Sequence, residues 1–360
     1  MTFEQFMSMA LYDPELGYYN TESGKIGREG DFYTSSHLHP VFGSIIGRQI
    51  FELWDLMGRP DNFRIVEMGG GAGHFCKDLL DSLRSVDKFA DFFRTLKYTI
   101  IERSPAMRNK QQGLLSGLTD KIEWLSSLSE CGGITGCIFS NELLDAFPVH
   151  LVRMEESLKE IYLDFDEDKG FMEIAGDLSN EEILTYFRDF SVEIRKGYTT
   201  EVNLRIRDWL KEINEVLERG FVLTIDYGYP AWDYYSEDRD RGTLMCYHKH
   251  QVIENPYLNI GQQDITAHVN YSAVKKWGED IGIKTAGFCG QGVFMMSLGI
   301  DEDIKKIAEG PGDYVFEIAR IKKLILPQGL GESHKVMIQY KGVEPPILQG
   351  FSIRNQIKTL

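Results

Sequence analysis

The chain has 360 residues, 42% hydrophobic and 26% charged, so it can bury the core of one large domain or of two unequal ones. Its 39 basic and 55 acidic residues give a net charge of -16, which argues against a general nucleic-acid binder and suits a basic partner. Five cysteines lie far apart without a C-x-x-C pair, which indicates reduced thiols, and His248 and His250 do not form a metal site without further ligands at suitable spacing.

The sequence contains no sign of a membrane span or of a targeting segment. No apolar run reaches membrane-spanning length, and the first residues lack both the apolar stretch of a signal peptide and the Arg-rich character of a transit peptide. We therefore expect a cytoplasmic protein of bacterial type without a membrane span. The sequence also allows a homodimer.

Short apolar runs alternate with helical patterns along most of the chain, which is typical of an α/β fold. Apolar residues recur at helical spacing over 41–57 and stop at Gly58 and Pro60, which predicts a helix. The elements predicted after it are a strand over 64–68, a helix from about His74 to Leu83, a strand over 96–102, a helix opened by Ser104 and Pro105, and strands over 121–124, 136–140, 221–226 and 334–342.

The segment between the strands 136–140 and 221–226 interrupts this alternation. Residues 149–175 alternate as a hairpin, and helical patterns follow them. We predict an insertion into the sheet domain there. The predicted division of the chain is an amino-terminal lid and helix over 1–60, a core over 61–148 and 205–345, and an inserted substrate subdomain over 149–204.

The stretch EMGGGAG, residues 67–73, follows the first predicted strand, where α/β sheets bind their ligands. Gly69, Gly71 and Gly73 let the backbone approach a ligand closely, because no Cβ intervenes. The dinucleotide pattern G-x-G-x-x-G fails, since His74 stands at its third glycine, and the Lys-Ser/Thr of a phosphate-binding loop is absent. The loop therefore suits a nucleoside without a pyrophosphate.

Two carboxylates complete this predicted cofactor site. Glu102 ends the next predicted strand, where an acidic residue can accept hydrogen bonds from two ribose hydroxyls. Glu67 stands directly before the glycines. We expect S-adenosyl-L-methionine as the cofactor, with its ribose at Glu102 and its amino-acid part at the glycine loop and Glu67.

A series of motifs extends this prediction to nearly the whole chain. They are GREGDFYTSS (27–36), EMGGGAG (67–73), IIERSPAMRNKQ (100–111), SNELLDAFPVH (140–150), IDYG (225–228), GTLMCYHKH (242–250), DITAHVNYS (264–272) and GLGESHKVM (329–337). In this order the sequence resembles the MidA-like methyltransferases, relatives of the mitochondrial complex I assembly factor that methylates a protein arginine. The resemblance implies a Rossmann-like class I methyltransferase sheet with helices on both faces, and a lid segment.

The motif SNELLDAFP resembles the start of the two-glutamate loop of type II protein arginine methyltransferases, which implies a catalytic role. A guanidinium is planar and charged, and its forked donors match a carboxylate. Glu142 is the candidate guanidinium clamp, Asp145 a helper, Asn141 an anchor for backbone or substrate, and Asp226 a second carboxylate. The structural alternative is that the segment NELLDAFP only caps a helix, which then ends at Pro148.

Other residues take roles only through the resemblance. Asp31, Phe32 and Thr34 would cover the cofactor as part of a lid, and His268 would line the substrate pocket or serve as a structural histidine. The implied partner is a protein with a basic, arginine-containing segment. Two alternatives stay open: a methyltransferase with another nucleophile, such as a small molecule, and an assembly factor that binds the cofactor without chemistry.

Overall fold

The computed structural model describes residues 1–20, 35–249, 251–310 and 312–360. The chain separates into two compact units. Unit 1 comprises Met1–Phe32, Leu144–Leu210 and Gly228–Lys276, and unit 2 comprises Tyr33–Leu143, Lys211–Tyr227 and Trp277–Leu360. The predicted insert over 149–204 lies within unit 1, and the three-part division of the chain stays a prediction.

The described residues form the following strands and helices. The strands are β1 (Arg64–Met68), β2 (Lys97–Ile101), β3 (Ile122–Leu125), β4 (Ile134–Asn141), β5 (His150–Met154), β6 (Leu158–Asp166), β7 (Gly170–Gly176), β8 (Thr199–Val202), β9 (Leu217–Tyr229), β10 (Met245–His248), β11 (Gln251–Ile253), β12 (Asp264–Thr266), β13 (Val269–Asn270), β14 (Lys284–Gly290) and β15 (His334–Lys341). The α-helices are α1 (Phe3–Tyr12), α2 (Ser35–Leu38), α3 (Val41–Leu56), α4 (His74–Ser85), α5 (Ala90–Thr95), α6 (Pro105–Leu114), α7 (Glu182–Asp189), α8 (Arg205–Val216), α9 (Ala231–Tyr234), α10 (Tyr271–Asp280), α11 (Gln291–Ser297), α12 (Ile300–Glu309), α13 (Tyr314–Ile325) and α14 (Leu330–Ser333).

The central sheet of unit 2 has the strand order β14-β15-β9-β4-β1-β2-β3. Its strands from β9 to β3 pair in parallel, whereas β15 is antiparallel to β9 and β14 is antiparallel to β15. This is the predicted α/β sheet. The predicted strand over 221–226 is the buried middle of the longer β9, and β14 was not predicted.

The strands of unit 2 coincide with apolar runs in the sequence because they lie in the core of this unit. Parallel strands are covered on both faces and therefore read as continuous apolar runs. Ile65 and Val66 of β1 are fully buried, and the apolar faces of α3 and α4 supply Phe42 and Phe75 to the core that contains Ile65. The helix predicted at Ser104 begins as expected, because the Ser104 hydroxyl accepts the N–H of Met107 and Pro105 is in the first turn.

Unit 1 contains two smaller antiparallel sheets, with the orders β7-β6-β5-β8 and β11-β10-β12. The single hairpin predicted over 149–175 is wrong, because a turn at 155–157 splits its first arm into β5 and β6. The turn consists of three polar residues in a row, Glu155, Glu156 and Ser157, which interrupt the alternation of apolar residues. None of the helices in the described part of the chain is long and apolar enough to cross a membrane.

Candidate active site

Polar and glycine-rich segments of unit 2 share one edge of its sheet, because they follow the carboxyl ends of parallel strands. The glycine loop follows β1, Glu102 follows β2, Asn141 and Glu142 stand at the end of β4, and Asp226 lies near the end of β9. The chain continues from β1 outward to β2 and β3, and then returns to β4 on the other side of β1. Sheets of this kind bind ligands in the crevice at such a reversal. The candidate site therefore lies between the ends of β1 and β4.

The glycine loop turns tightly from β1 into α4. The φ angle is 71° at Gly69, 50° at Gly71 and 91° at Gly73, a left-handed region that residues with a Cβ rarely adopt. A Cβ on Gly70 would lie 3.2 Å from the carboxyl carbon of Glu67. The local geometry thus requires glycine at the three predicted positions and brings the loop directly against Glu67.

Glu67 is a buried carboxyl group beneath this loop. It is 3% exposed, and the hydroxyl of Tyr98 donates a hydrogen bond of 2.8 Å to its Oε2. Burial raises the pKa of Glu67 to about 7, although the Tyr98 hydrogen bond lowers it, and the nearby Glu102 carboxylate raises it further. Glu67 is therefore set to change its charge close to neutral pH.

Glu102 is held in place by its own loop and by α6. Its Oε1 accepts the backbone N–H of Ser104 over 2.8 Å, and its Oε2 accepts the side-chain amide of Gln111 over 3.1 Å. Burial raises the pKa of Glu102, and these hydrogen bonds oppose the rise. The orientation of the carboxylate is thus fixed by the protein itself. Gln111 was not singled out in the sequence.

Glu142 adopts a strained backbone conformation directly after β4. Its φ angle is 52°, in the left-handed region, and strained backbone of this kind clusters at active sites. The backbone N–H of Ser35 and the side-chain amide of Asn141 each donate to its Oε1 over 3.1 Å. The side chain is 7% exposed, so the turn holds an oriented carboxylate at the sheet edge.

His334 is a site residue that the sequence analysis missed. Its Nε2 lies 3.5 Å from Oε1 of Glu142, and its ring packs edge-on against Tyr227 with ring centroids 5.3 Å apart. His334 begins β15, and the antiparallel pairing with β9 brings that beginning to the edge where the parallel strands end. The motif GLGESHKVM contained the residue, but the sequence did not show the direction of its strand.

Two buried polar side-chain atoms lie at the end of β4. Oγ of Ser140 and Oδ1 of Asn141 have no hydrogen-bond partner among the residues that the structure describes. Such atoms are rare in folded proteins and are usually satisfied by a ligand or by water. S-adenosyl-L-methionine carries a ribose diol and an ammonium group, which are hydrogen-bond donors. The carboxylate acceptors of Glu67 and Glu102 fit these donors.

Asp226 is fully buried and supports the turn that contains Glu142. Its Oδ2 accepts the backbone N–H of Leu143 over 3.1 Å, and its Oδ1 accepts that of Tyr227 over 2.9 Å. Both oxygens thus bind the backbone of unit 2. Its predicted role as a second carboxylate for the substrate stays a prediction.

Asp145 and His268, which were also predicted as site residues, belong to unit 1. Asp145 is 4% exposed, and its carbonyl oxygen accepts the N–H of Ala267 over 2.9 Å. The ring centroid of His268 lies 5.3 Å from that of Tyr229, and its backbone N–H donates to the Thr243 hydroxyl over 3.0 Å. Their roles in catalysis and substrate binding stay predictions.

The predicted lid residues Asp31, Phe32 and Thr34 lie outside the described residues. Ser35, the first residue described after them, donates its N–H to Glu142 and its hydroxyl to the side-chain oxygen of Gln291. Within the described ranges, no group of three or more His, Cys, Asp or Glu side chains is placed to hold a metal ion.

Comparison with known proteins gives a consistent result. Residues 45–289 match the model of a family described as "Putative S-adenosyl-L-methionine-dependent methyltransferase". The chain is 24% identical to the protein arginine methyltransferase NDUFAF7 homolog of Drosophila melanogaster, over 94% of this chain and 81% of that protein. It is 25% identical to the protein arginine methyltransferase NDUFAF7 of Homo sapiens, over 86% of this chain and 72% of that protein.

A crystal structure of a protein from Burkholderia thailandensis, bound to S-adenosyl-homocysteine, has a similar fold. It is 28% identical with a TM-score of 0.90, and the match covers 100% of this chain and 92% of that one. The comparisons also correct one prediction. The two NDUFAF7 relatives are named as mitochondrial proteins, which contradicts the cytoplasmic location predicted from the sequence.

Proposed function

The chain belongs to this family of S-adenosyl-L-methionine-dependent methyltransferases, and from that premise we propose that it methylates the guanidinium of an arginine in a protein. The family membership confirms the predicted resemblance, the class I methyltransferase fold and the cofactor. The names of the relatives from Drosophila melanogaster and Homo sapiens support arginine as the acceptor. In this chain the single observation that carries the proposal is the strained, oriented carboxylate of Glu142 at the end of β4.

The proposed role of Glu142 follows from the chemistry of the acceptor. A guanidinium is charged at neutral pH, and a carboxylate beside it draws the positive charge to one side. The opposite nitrogen then becomes the better nucleophile. The cofactor supplies an already activated methyl group, so the main task of the protein is to align that nitrogen with it. Glu142 holds the guanidinium, and one carboxylate of the site later takes the proton that the methylated nitrogen releases.

Neighbouring groups assist this role. Oδ1 of Asn141 is a buried acceptor next to Glu142 and can take a second N–H of the guanidinium. Asp226 fixes the backbone of Leu143 and so maintains the turn that orients Glu142. The net charge of -16 favours the approach of a basic target segment.

The cofactor assignment predicts a clear effect at Glu102. Its carboxylate accepts hydrogen bonds from the ribose diol, so Glu102→Ala should weaken the binding of S-adenosylhomocysteine by roughly 2 kcal/mol, the scale of hydrogen bonds to charged groups. Isothermal titration calorimetry measures this change. Glu123→Ala is the matched control, because it removes an exposed carboxylate from the neighbouring strand β3. Equal affinity for wild type and Glu102→Ala would assign the ribose to another residue.

The raised pKa of Glu67 predicts a pH dependence of cofactor binding. Below pH 7 or so the carboxyl group retains its proton, because burial disfavours the charged form. An ammonium group of the ligand binds the ionised form, so the proton must leave on binding. The affinity for S-adenosylhomocysteine should therefore fall about tenfold per pH unit below this pKa and become constant above it.

Calorimetry between about pH 5.5 and 7.5 tests this, a range in which the α-ammonium group stays largely charged. Glu67→Gln has nearly the same shape but no titration, so its affinity should not vary over this range. A wild-type affinity that is flat, or that rises as the pH falls, would remove Glu67 from the binding of the ammonium group.

The acceptor can be identified directly from an extract of the host. The purified protein is incubated with methyl-labelled cofactor and the extract, and the labelled peptides are sequenced by tandem mass spectrometry. We expect the label on arginine side chains. Label that is confined to lysines, carboxylates or small molecules would leave the methyltransferase in place and contradict the proposed acceptor.

A further inference from the structure

Gln111 joins the two segments that the cofactor assignment uses. It lies on α6, and its side chain is fully buried. Its Nε2 donates to the carbonyl oxygen of Gly71 over 2.7 Å and to Oε2 of Glu102 over 3.1 Å. The glycine loop after β1 and the acidic residue after β2 are thus connected through a single amide group.

Three hydrogen bonds agree on the orientation of this amide. The indole N–H of Trp124 lies 3.0 Å from Oε1 of Gln111, and an indole nitrogen can only donate. The atom that faces it must therefore be the amide oxygen. The amide nitrogen then faces a carbonyl and a carboxylate, which can only accept. The side chain also packs on the loop, since a Cβ on Gly73 would lie 3.5 Å from Cγ of Gln111.

We propose that Gln111 is a positioning residue for the cofactor, which keeps the Glu102 carboxylate turned toward the ribose diol and fixes the glycine loop at a set distance from it. The inference rests on the proposed contact between Glu102 and the ribose. Since Gln111 is buried and its amide is fully used by Trp124, Gly71 and Glu102, the carboxylate is oriented before the cofactor binds. A site that is already oriented loses less conformational entropy on binding.

The test removes the amide N–H donor of Gln111 from the protein and, separately, the ribose hydroxyls from the ligand. Gln111→Glu keeps the size of the side chain but replaces the amide nitrogen by an oxygen, which repels the Glu102 carboxylate. The ligands are S-adenosylhomocysteine and its 2′,3′-dideoxy analogue, which lacks both ribose hydroxyls. Calorimetry on the full chain gives, for each variant, the dissociation constant of the dideoxy analogue divided by that of S-adenosylhomocysteine. That ratio measures how strongly the hydroxyls contribute.

In wild type the hydroxyls should contribute strongly, and in Gln111→Glu the ratio should shrink by about tenfold, the equivalent of one hydrogen bond to a charged group. Gln112→Glu is the matched control, because it makes the same change one residue further on at an exposed position. Its ratio should equal that of wild type. An unchanged ratio in Gln111→Glu, or an equal change in both variants, would overturn the inference.

Trp124→Phe keeps an aromatic ring but removes the N–H that orients the amide, so it tests the same inference if Gln111→Glu does not fold. Its ratio should shrink in the same direction, by about threefold, since the amide can then turn. No change in the ratio would contradict the inference. Glu102→Ala separates the two ideas: if it shrinks the ratio and the other two variants do not, Glu102 contacts the ribose without help from Gln111. If it leaves the ratio unchanged, the ribose assignment fails as well.

Discussion

Glu142→Gln is expected to lower the rate of methyl transfer by at least about a hundredfold, the scale on which a single charge-stabilising group acts in an active site. The affinity for S-adenosylhomocysteine should stay near that of wild type, because the carboxylate acts mainly on the transition state. The substitution should not disturb the turn. Ser35 and Asn141 both donate to Oε1, so the amide oxygen of glutamine can accept both hydrogen bonds.

The measurement compares transfer rates with saturating cofactor, together with cofactor binding by calorimetry. Glu52→Gln is a suitable control in the same unit, because the Glu52 carboxylate also accepts a backbone N–H, that of Gln349, over 3.1 Å. It should retain wild-type activity. Full activity of Glu142→Gln would return Glu142 to a structural role in the turn after β4.

Gly71→Val is expected to abolish cofactor binding. Its φ angle of 50° strains any residue with a Cβ, and a β-branched residue most of all, so the loop must move to relieve the strain. The carbonyl of Gly71 would then leave the amide of Gln111. We expect the affinity for S-adenosylhomocysteine to fall by at least about a hundredfold, which corresponds to some 3 kcal/mol of lost binding energy.

The effect should be specific to the glycine loop and not a general consequence of strain. Gly58 also has a left-handed φ, of 81°, and no atom lies within 4 Å of the position of a Cβ there. Gly58→Val therefore introduces similar backbone strain at the end of α3 and should leave cofactor affinity unchanged. Binding of Gly71→Val at wild-type strength would place the cofactor away from this loop.

The strands of the central sheet, apart from β14, could be predicted because burial on both faces leaves a direct mark in the sequence. Residues 64–68 and 334–342 read as apolar runs, and the structure has β1 and β15 there. The glycine loop could also be identified from the sequence, because few structures other than a tight turn require so many glycines in one short segment. The end of each parallel strand then pointed to Glu102, Glu142 and Asp226.

What the sequence could not show is how side chains from separate elements meet. Gln111 lies in a polar stretch of α6, and nothing in its spacing indicates hydrogen bonds to Gly71 and Glu102. The distance between His334 and Glu142 depends on the antiparallel direction of β15, which an apolar run does not reveal. Both contacts arise from tertiary structure, where local patterns carry no information.

The proposed function depends above all on a guanidinium acceptor, and a substitution in the target protein is its sharpest test. Once a labelled peptide is identified, its arginine is replaced by lysine. Lysine keeps the positive charge but lacks the planar guanidinium group that forms bidentate hydrogen bonds with a carboxylate. Transfer to the substituted target is then followed by mass spectrometry with methyl-labelled cofactor. We predict that no label is incorporated into it. Transfer at an undiminished rate, to the new lysine or to another residue of the same peptide, would contradict the proposed function.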